Sequence, residues 1–218
     1  MKLRIDHVAI WTTERDALLH RIARATGLEV LDGWRPEGKL VSRGVRFANG
    51  PFLDVHQVED TPGPAGIRHA LLGLGGGFQA ATDLADRRGW RVALAPFDAG
   101  KPRAEPWSMV SFRRGQGLMS LMFVIDYEPE GPAWAQEEFG GPLFRPAASR
   151  GTGSSVQAIG LEHGPGPGLP ERFLEDDFSS SRGDLVPVTG WNERIAYITV
   201  RGLNEKIDLG SGVEIRPV

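Results

Sequence analysis

Short runs of alternating or continuous apolar residues fill most of the chain, and two longer stretches change to a helical period. Ile5–Ile10 is the first apolar run. Behind it Leu18, Leu19, Ile22 and Ala25 recur at spacings of three and four, between the possible cap Thr13 and the stop Gly27, which predicts a helix. Three β-leaning runs follow: Leu28–Leu31, Val41–Phe47 and Phe52–Val58. The same order then recurs. Ile67–Leu74 is apolar, Phe78, Ala81, Leu84 and Ala85 keep the helical period up to Gly89, and Trp90–Ala95, Trp107–Phe112 and Met119–Tyr127 read as strands. A glycine just past the last turn suits the left-handed conformation that ends many helices.

The recurrence is an internal repeat. Offsetting the chain by 62 residues aligns Ile5–Val30 with Ile67–Val92 without a gap, and Ile5, His7, Ala23, Gly27 and Val30 meet Ile67, His69, Ala85, Gly89 and Val92. Each copy reads β-α-β-β-β, with a longer loop, Pro96–Pro106, in the second. Such a unit covers one face of its sheet with its helix and leaves the other open. Two copies can pair into a curved mixed-sheet cup with helices outside, an α+β architecture; two ferredoxin-like or unrelated α+β pieces are the competing topology. The boundaries that follow are a first module at 1–60, a second at 66–128, and a linker or wrapping loop at 129–153, rich in Pro and Gly. Residues 154–218 repeat the pattern in shortened form: Val156–Leu161, a helical candidate Pro170–Phe178, Leu185–Val188, Arg194–Val200 and Val213–Ile215. They read as a degenerate third module or a cap.

Composition narrows the function. With 25 Lys+Arg against 28 Asp+Glu there is no basic excess to neutralise phosphates, so nucleic acid is not an expected partner. The absence of cysteine excludes disulfides, thiolate metal sites and a cysteine nucleophile. Charges at Lys2, Arg4 and Asp6 interrupt any leader-like start, and no run approaches the roughly 18 apolar residues of a spanning helix. A soluble cytoplasmic protein without a membrane partner is expected. The Gly-Gly-Gly within Gly73–Gly77 precedes a helix but lacks the Gly-Lys-Ser/Thr ending of a phosphate loop, and reads as a flexible turn.

The chemistry-bearing residues sit at matching places. His7 and His69 occupy one position of the first strand in the two copies, and Leu53-Asp54 and Ile125-Asp126 close their last strands. A pseudo-two-fold pairing would bring His7, Asp54, His69 and Asp126 to the cup floor as ligands of a divalent Fe, Mn, Zn, Ni or Co ion, since nitrogen and oxygen donors without thiolates suit such ions. His56 shares the face of Asp54 and stands as a fallback ligand or a substrate contact. Arg46 and Arg113, with Arg43 and Arg114, lie on or beside the third strand of each copy; Arg46 and Arg113 are the candidates for holding an anionic substrate, against a reading as solvated edge charges. Glu162-His163 reads as turn chemistry. The bland alternative for the histidines is a hydrogen-bonded core role, and for the aspartates turn capping.

Ile5-Asp6-His7-Val8-Ala9-Ile10, Gly27-Leu28-Glu29-Val30, Phe52-Leu53-Asp54-Val55 and Met122-Phe123-Val124-Ile125-Asp126-Tyr127 together resemble the vicinal oxygen chelate superfamily, specifically its glyoxalase-like domains, of glyoxalase, bleomycin-resistance and extradiol dioxygenase type. The resemblance covers about residues 3–130. It implies paired modules with a metal in the cup that binds two adjacent substrate oxygens, with lyase, isomerase or dioxygenase chemistry. It places the ligands at His7, Asp54, His69 and Asp126, with Asp54 or Asp126 able to act as base. Both carboxylates are Asp where Glu is usual, and the superfamily includes metal-free proteins that sequester small molecules. Three expectations follow, of which the first two are a metal-dependent enzyme acting on a small oxygenated substrate and a metal-free binder with a cup lined by Trp11, Phe47, Phe52 and Met122. A homodimer completed by the C-terminal segment is the third.

Overall fold

The first apolar run becomes β1 (Arg4–Thr12), followed by α1 (Arg15–Thr26), β2 (Leu31–Asp32), β3 (Ser42–Arg46) and β4 (Phe52–Gln57). The second copy gives β5 (Ile67–Gly75), α2 (Phe78–Arg88), β6 (Val92–Ala95), β7 (Trp107–Phe112) and β8 (Met122–Tyr127). The computed structural model describes residues 2–59, 67–101, 104–129, 131–139, 141–145, 153–166 and 168–218. The junction of the two repeats at 60–66, and 146–152 of the connecting segment, lie outside the described residues. Both helices end on glycines in the left-handed region, Gly27 at φ 70° and Gly89 at φ 65°. At the start of α1 the N-cap is Glu14 rather than Thr13 and makes no side-chain capping bond; the Thr12 hydroxyl accepts from the Glu14 N–H at 3.1 Å in the turn that leads in. The run expected at Met119–Tyr127 is divided: Gly117–Leu121 coils into a 3-10 turn before β8 begins.

The eight strands form one curved mixed sheet in the order β2-β3-β4-β1-β5-β8-β7-β6, so the two modules meet at the antiparallel β1–β5 pair. Its two faces bury different things. Val8, Ile10, Val45, Leu53, Val55, Leu72, Leu74 and Val124 pack with Leu18, Leu19 and Ile22 of α1 and Leu84 of α2. The residues between them in sequence face the other way, as strand alternation requires. Helices outside and an open inner face is the paired-module cup.

The C-terminal unit adds β9 (Ser155–His163), β10 (Asp184–Thr189), β11 (Arg194–Arg201), β12 (Ile207–Gly210) and β13 (Val213–Pro217). Their order is β10-β9-β11-β13-β12. The pairs run parallel, antiparallel, parallel and antiparallel, the succession found along β4-β1-β5-β8-β7 of the large sheet. This degenerate unit therefore reproduces the middle of the large sheet. A single π-helical turn, Phe173–Asp177, stands where the helical candidate was expected. Ile159, Leu161, Ile195 and Ile198 join the same apolar core as the two helices, and Leu3 exchanges backbone bonds with Asp177 and Ser179 at 2.8 and 2.7 Å. No helix among the described residues is long and apolar enough to cross a membrane.

The segment after β8 does more than connect. Trp134, Phe139, Leu143 and Phe144 pack against Leu31, Phe52, Trp107 and Tyr127 on the inner face, forming a second apolar cluster. Gly44 and Gly33 make room for it: a Cβ on either would come within 2.9 and 3.1 Å of Leu143. The chain thus fills part of its own cup.

Candidate functional site

The polar heart of the inner face is set by a bulge. β1 pairs Ile5 with Leu74 and His7 with Gly73, leaving Asp6 as an extra residue. Ile5 and Val8 consequently both reach the helix-side core, while Asp6 and His7 lie together on the cup side. Asp6 Oδ2 accepts from His7 Nδ1 at 2.8 Å and from the Tyr127 hydroxyl at 3.0 Å, and Asp6 Oδ1 faces Arg182 Nη1 at 3.6 Å. Burial alone would raise the Asp6 pKa, but His7, Tyr127 and Arg182 hold it below the usual carboxylate range. An ionised Asp6 can only accept, so Nδ1 is the protonated nitrogen of His7. Burial and the Asp6 charge push the Tyr127 phenol well above its ordinary value, keeping it a neutral donor.

His7 is sandwiched by apolar rings, stacked on Phe52 at 4.7 Å and edge-on to Phe123 at 5.2 Å. It fits because its cross-strand neighbour has no side chain: a Cβ on Gly73 would lie 2.6 Å from His7 Cε1. We expect Gly73→Ala to cost about 1–3 kcal/mol through overpacking and to shift the His7 Cε1–H resonance. An unmoved resonance would mean the ring does not sit over this strand.

A second imidazole–carboxylate pair lies along β4. His56 Nε2 meets Asp54 Oδ2 at 2.9 Å, and Trp11 stacks on His56 at 4.9 Å. Asp54 is buried. Burial would raise its pKa, yet the neighbouring His56 and His7 keep it lowered. Its Oδ1 has no hydrogen-bond partner among the described residues.

The four expected ligands are not gathered at one point. Antiparallel pairing sets Trp11, not His7, opposite His69, and the residues paired at the module axis are Ala9 and Leu71. Repeat-equivalent positions two residues before that axis point to opposite ends of the cup, so His69 lies four residues, about 13 Å, along from the level of His7. It is exposed beside Trp11, its pKa lowered by partial burial and Arg114. Asp126 has the strand parity of Val124 and caps α2, its Oδ2 accepting from Phe78 N–H at 2.9 Å. No three His, Asp or Glu side chains among the described residues stand together as cation ligands. The described residues present do not fit a resident metal.

The other candidates separate cleanly. Arg46 is buried on the inner face, bonded to the carbonyls of Leu143 at 2.7 Å and Gly50 at 3.2 Å, with its guanidinium 4.6 Å over the Phe52 ring. Arg113 is exposed after β7, and Arg43 pairs with Asp32 and Asp16 at the sheet edge. Glu162 accepts from the backbone N–H groups of Trp191 and Asn192 and from Arg194, closing the β10–β11 turn. A cavity of about 990 Å³ opens at the Asp6 end of the cup, bounded by Arg46, Tyr127, Trp134, Phe144 and Arg182 among others. Sequence reasoning missed Asp6, Tyr127 and Arg182. Asp6 carried no signal because its position depends on the bulge, and Arg182 is remote in sequence. The large apolar residues spaced through 134–144 were the available sign that the wrapping segment is packed.

No protein-family model matches the chain, and no curated protein does. Among solved structures, a hypothetical protein from Staphylococcus aureus aligns at TM-score 0.58 and 10% identity, over 99% of this chain and 100% of that one. The 2,3-dioxygenase LapB from Pseudomonas sp. KL28 aligns at TM-score 0.52 and 12% identity, over 93% of this chain and 75% of its own. The chain shares with these two structures an architecture of paired β-α-β-β-β modules. At these identities the likeness concerns architecture alone, and it extends through the C-terminal unit. In this chain the inner face is partly occupied by its own wrapping segment, and the open volume lies toward Asp6.

Proposed function

We propose that this protein binds a small oxygenated molecule in the cavity at the Asp6 end of its cup, without a resident metal. The observation that carries this reading is the convergence on one 990 Å³ space of both modules, the wrapping segment and the C-terminal unit, through Asp6, Tyr127, Trp134 and Arg182. A concave site with an apolar wall and a few fixed polar groups is the usual form of a small-molecule site. Arg182 supplies a donor and the Tyr127 oxygen an acceptor, Asp6 holds both, and Trp134 and Phe144 supply the apolar wall. Turnover is not required by this reading. Should chemistry occur, Asp6 is poorly placed as a base, because three partners favour its charged form.

The test has two parts. Protein purified without an affinity tag and dialysed against Fe, Mn, Zn, Ni or Co should retain far less than one ion per chain. Diols, hydroxy acids and keto acids should be screened by tryptophan fluorescence in EDTA, with Trp134→Phe assigning the signal. A saturable response lost in that variant supports the reading. One tightly held ion per chain, released by His7→Ala, would restore the metal-dependent alternative.

A further inference from the structure

We propose that this cavity is built for a compact dianion, a phosphate or a dicarboxylate, with Arg182 of the C-terminal unit closing the site around it. The inference rests on the reading of the cavity as the ligand site and adds the ligand's chemistry.

Four guanidinium groups come from four separate parts of the chain: Arg4 of β1, Arg46 of β3, Arg145 of the wrapping segment and Arg182 from the β9–β10 connection. Three carboxylates share the lining, Asp6, Asp126 and Glu128. Two of these are already engaged, Asp6 by His7, Tyr127 and, at 3.6 Å, Arg182 itself, and Asp126 by the Phe78 N–H. Among the described lining residues, four guanidinium groups against three carboxylates leave an excess of one positive charge, in a chain whose overall charge is -3. Guanidinium forks match the paired oxygens of phosphate and carboxylate.

These arginines are held rather than loose. Arg46 is only 8% exposed, and its Nε, Nη1 and guanidinium face are fixed by Leu143, Gly50 and Phe52. Arg4 lines the cavity, and its Nε is buried with no hydrogen-bond partner among the described residues, which leaves its terminal nitrogens as the groups that could meet an oxyanion. Arg145 Nη2 donates to the Trp134 carbonyl at 3.1 Å. Arg182 is anchored through its backbone: the Asn49 amide donates to the carbonyls of Arg182 and Val156 at 3.3 and 2.7 Å. Its side chain passes over Gly50, where a Cβ would come 3.1 Å from Nε and where φ is 107°, so glycine both forms the turn and leaves the passage open.

The glycine run before α2 completes the wall. Gly75, Gly76 and Gly77 line the same cavity and bring backbone close to it, ahead of an 11-residue helix whose first N–H, that of Phe78, is already taken by Asp126. The run that fails as a phosphate-loop motif by sequence thus stands beside the arginines in space.

The full chain should be titrated with inorganic phosphate and, separately, with malonate, by calorimetry at constant ionic strength. At least one probe should saturate at one site per chain, and Arg182→Gln and Arg4→Gln should each weaken it about tenfold or more, the scale of one lost charge-assisted contact. Arg87→Gln, on the exposed side of α2, should leave it unchanged. Saturation by phosphate alone identifies a phosphoryl ligand, and by malonate alone a dicarboxylate; either supports the proposal. It is overturned if neither probe saturates, or if both bind equally well to the Arg182 and Arg4 variants. A neutral diol that perturbs Trp134 while neither dianion binds would sink this proposal and leave the cavity reading standing. Silence from every probe would end both.

Discussion

Asp6→Ala should lower stability by about 3 kcal/mol, the range for removing one partner from a buried charged pair, with Tm falling by roughly 6–12 °C for a chain of this size. The cost is high because one carboxylate serves three groups. Its loss strands the His7 Nδ1–H and the Tyr127 hydroxyl on a buried face and leaves Arg182 without its counter-charge. Tyr127→Phe alone should cost less, and the double variant should fall short of the sum by more than about 0.5 kcal/mol, since both changes break one shared bond. The pH dependence has a defined sign. Asp6 is held below its unfolded value, so its contribution is complete above the unfolded pKa, about 3.9, and disappears as pH falls through the folded one. Asp54 adds to the same limb. The wild type should therefore lose stability more steeply with acid than Asp6→Ala does. Parallel acid curves for the two would show that Asp6 titrates as an ordinary surface carboxylate.

Leu143→Ala should be comparably damaging, at about 2–5 kcal/mol for a buried leucine truncated without collapse of its site. Leu143 is fully buried in the inner-face cluster, against glycines whose missing side chains leave no atoms able to move into the gap. The backbone bond from Arg46 Nε to its carbonyl can persist, so the effect isolates the side chain. Urea unfolding gives the magnitude. Amide exchange should also quicken at Phe144 and Arg145, whose N–H groups bond within the same turn. A cost under about 1 kcal/mol, well below the large-to-small core range, would show that this segment lies on the cup instead of in it.

The two results bear on how the site depends on the fold. If the wrapping segment fills the floor of the cup, ligand must sit at its Asp6 end, and only there does the C-terminal unit contribute through Arg182. That filling also explains why the inner face can be so apolar without lying open to water.

The repeated modules were legible in the sequence because each depends on local signals. A helical period bounded by Gly27 or Gly89 has the same outcome wherever the strands around it pair, and strand parity alone separates Leu53 and Val55 from Asp54 and His56. The positions of His7 and His69 relative to each other were not legible. They depend on the register of two antiparallel strands, and a repeat specifies equivalence, not proximity: the pair brought together at the axis is Ala9 and Leu71. The bulge at Asp6, the burial of Leu143 and Phe144, and the arrival of Arg182 beside Asp6 are likewise products of tertiary packing. Each joins residues some ninety or more positions apart or shifts a strand by one residue, and no local pattern of side chains encodes either.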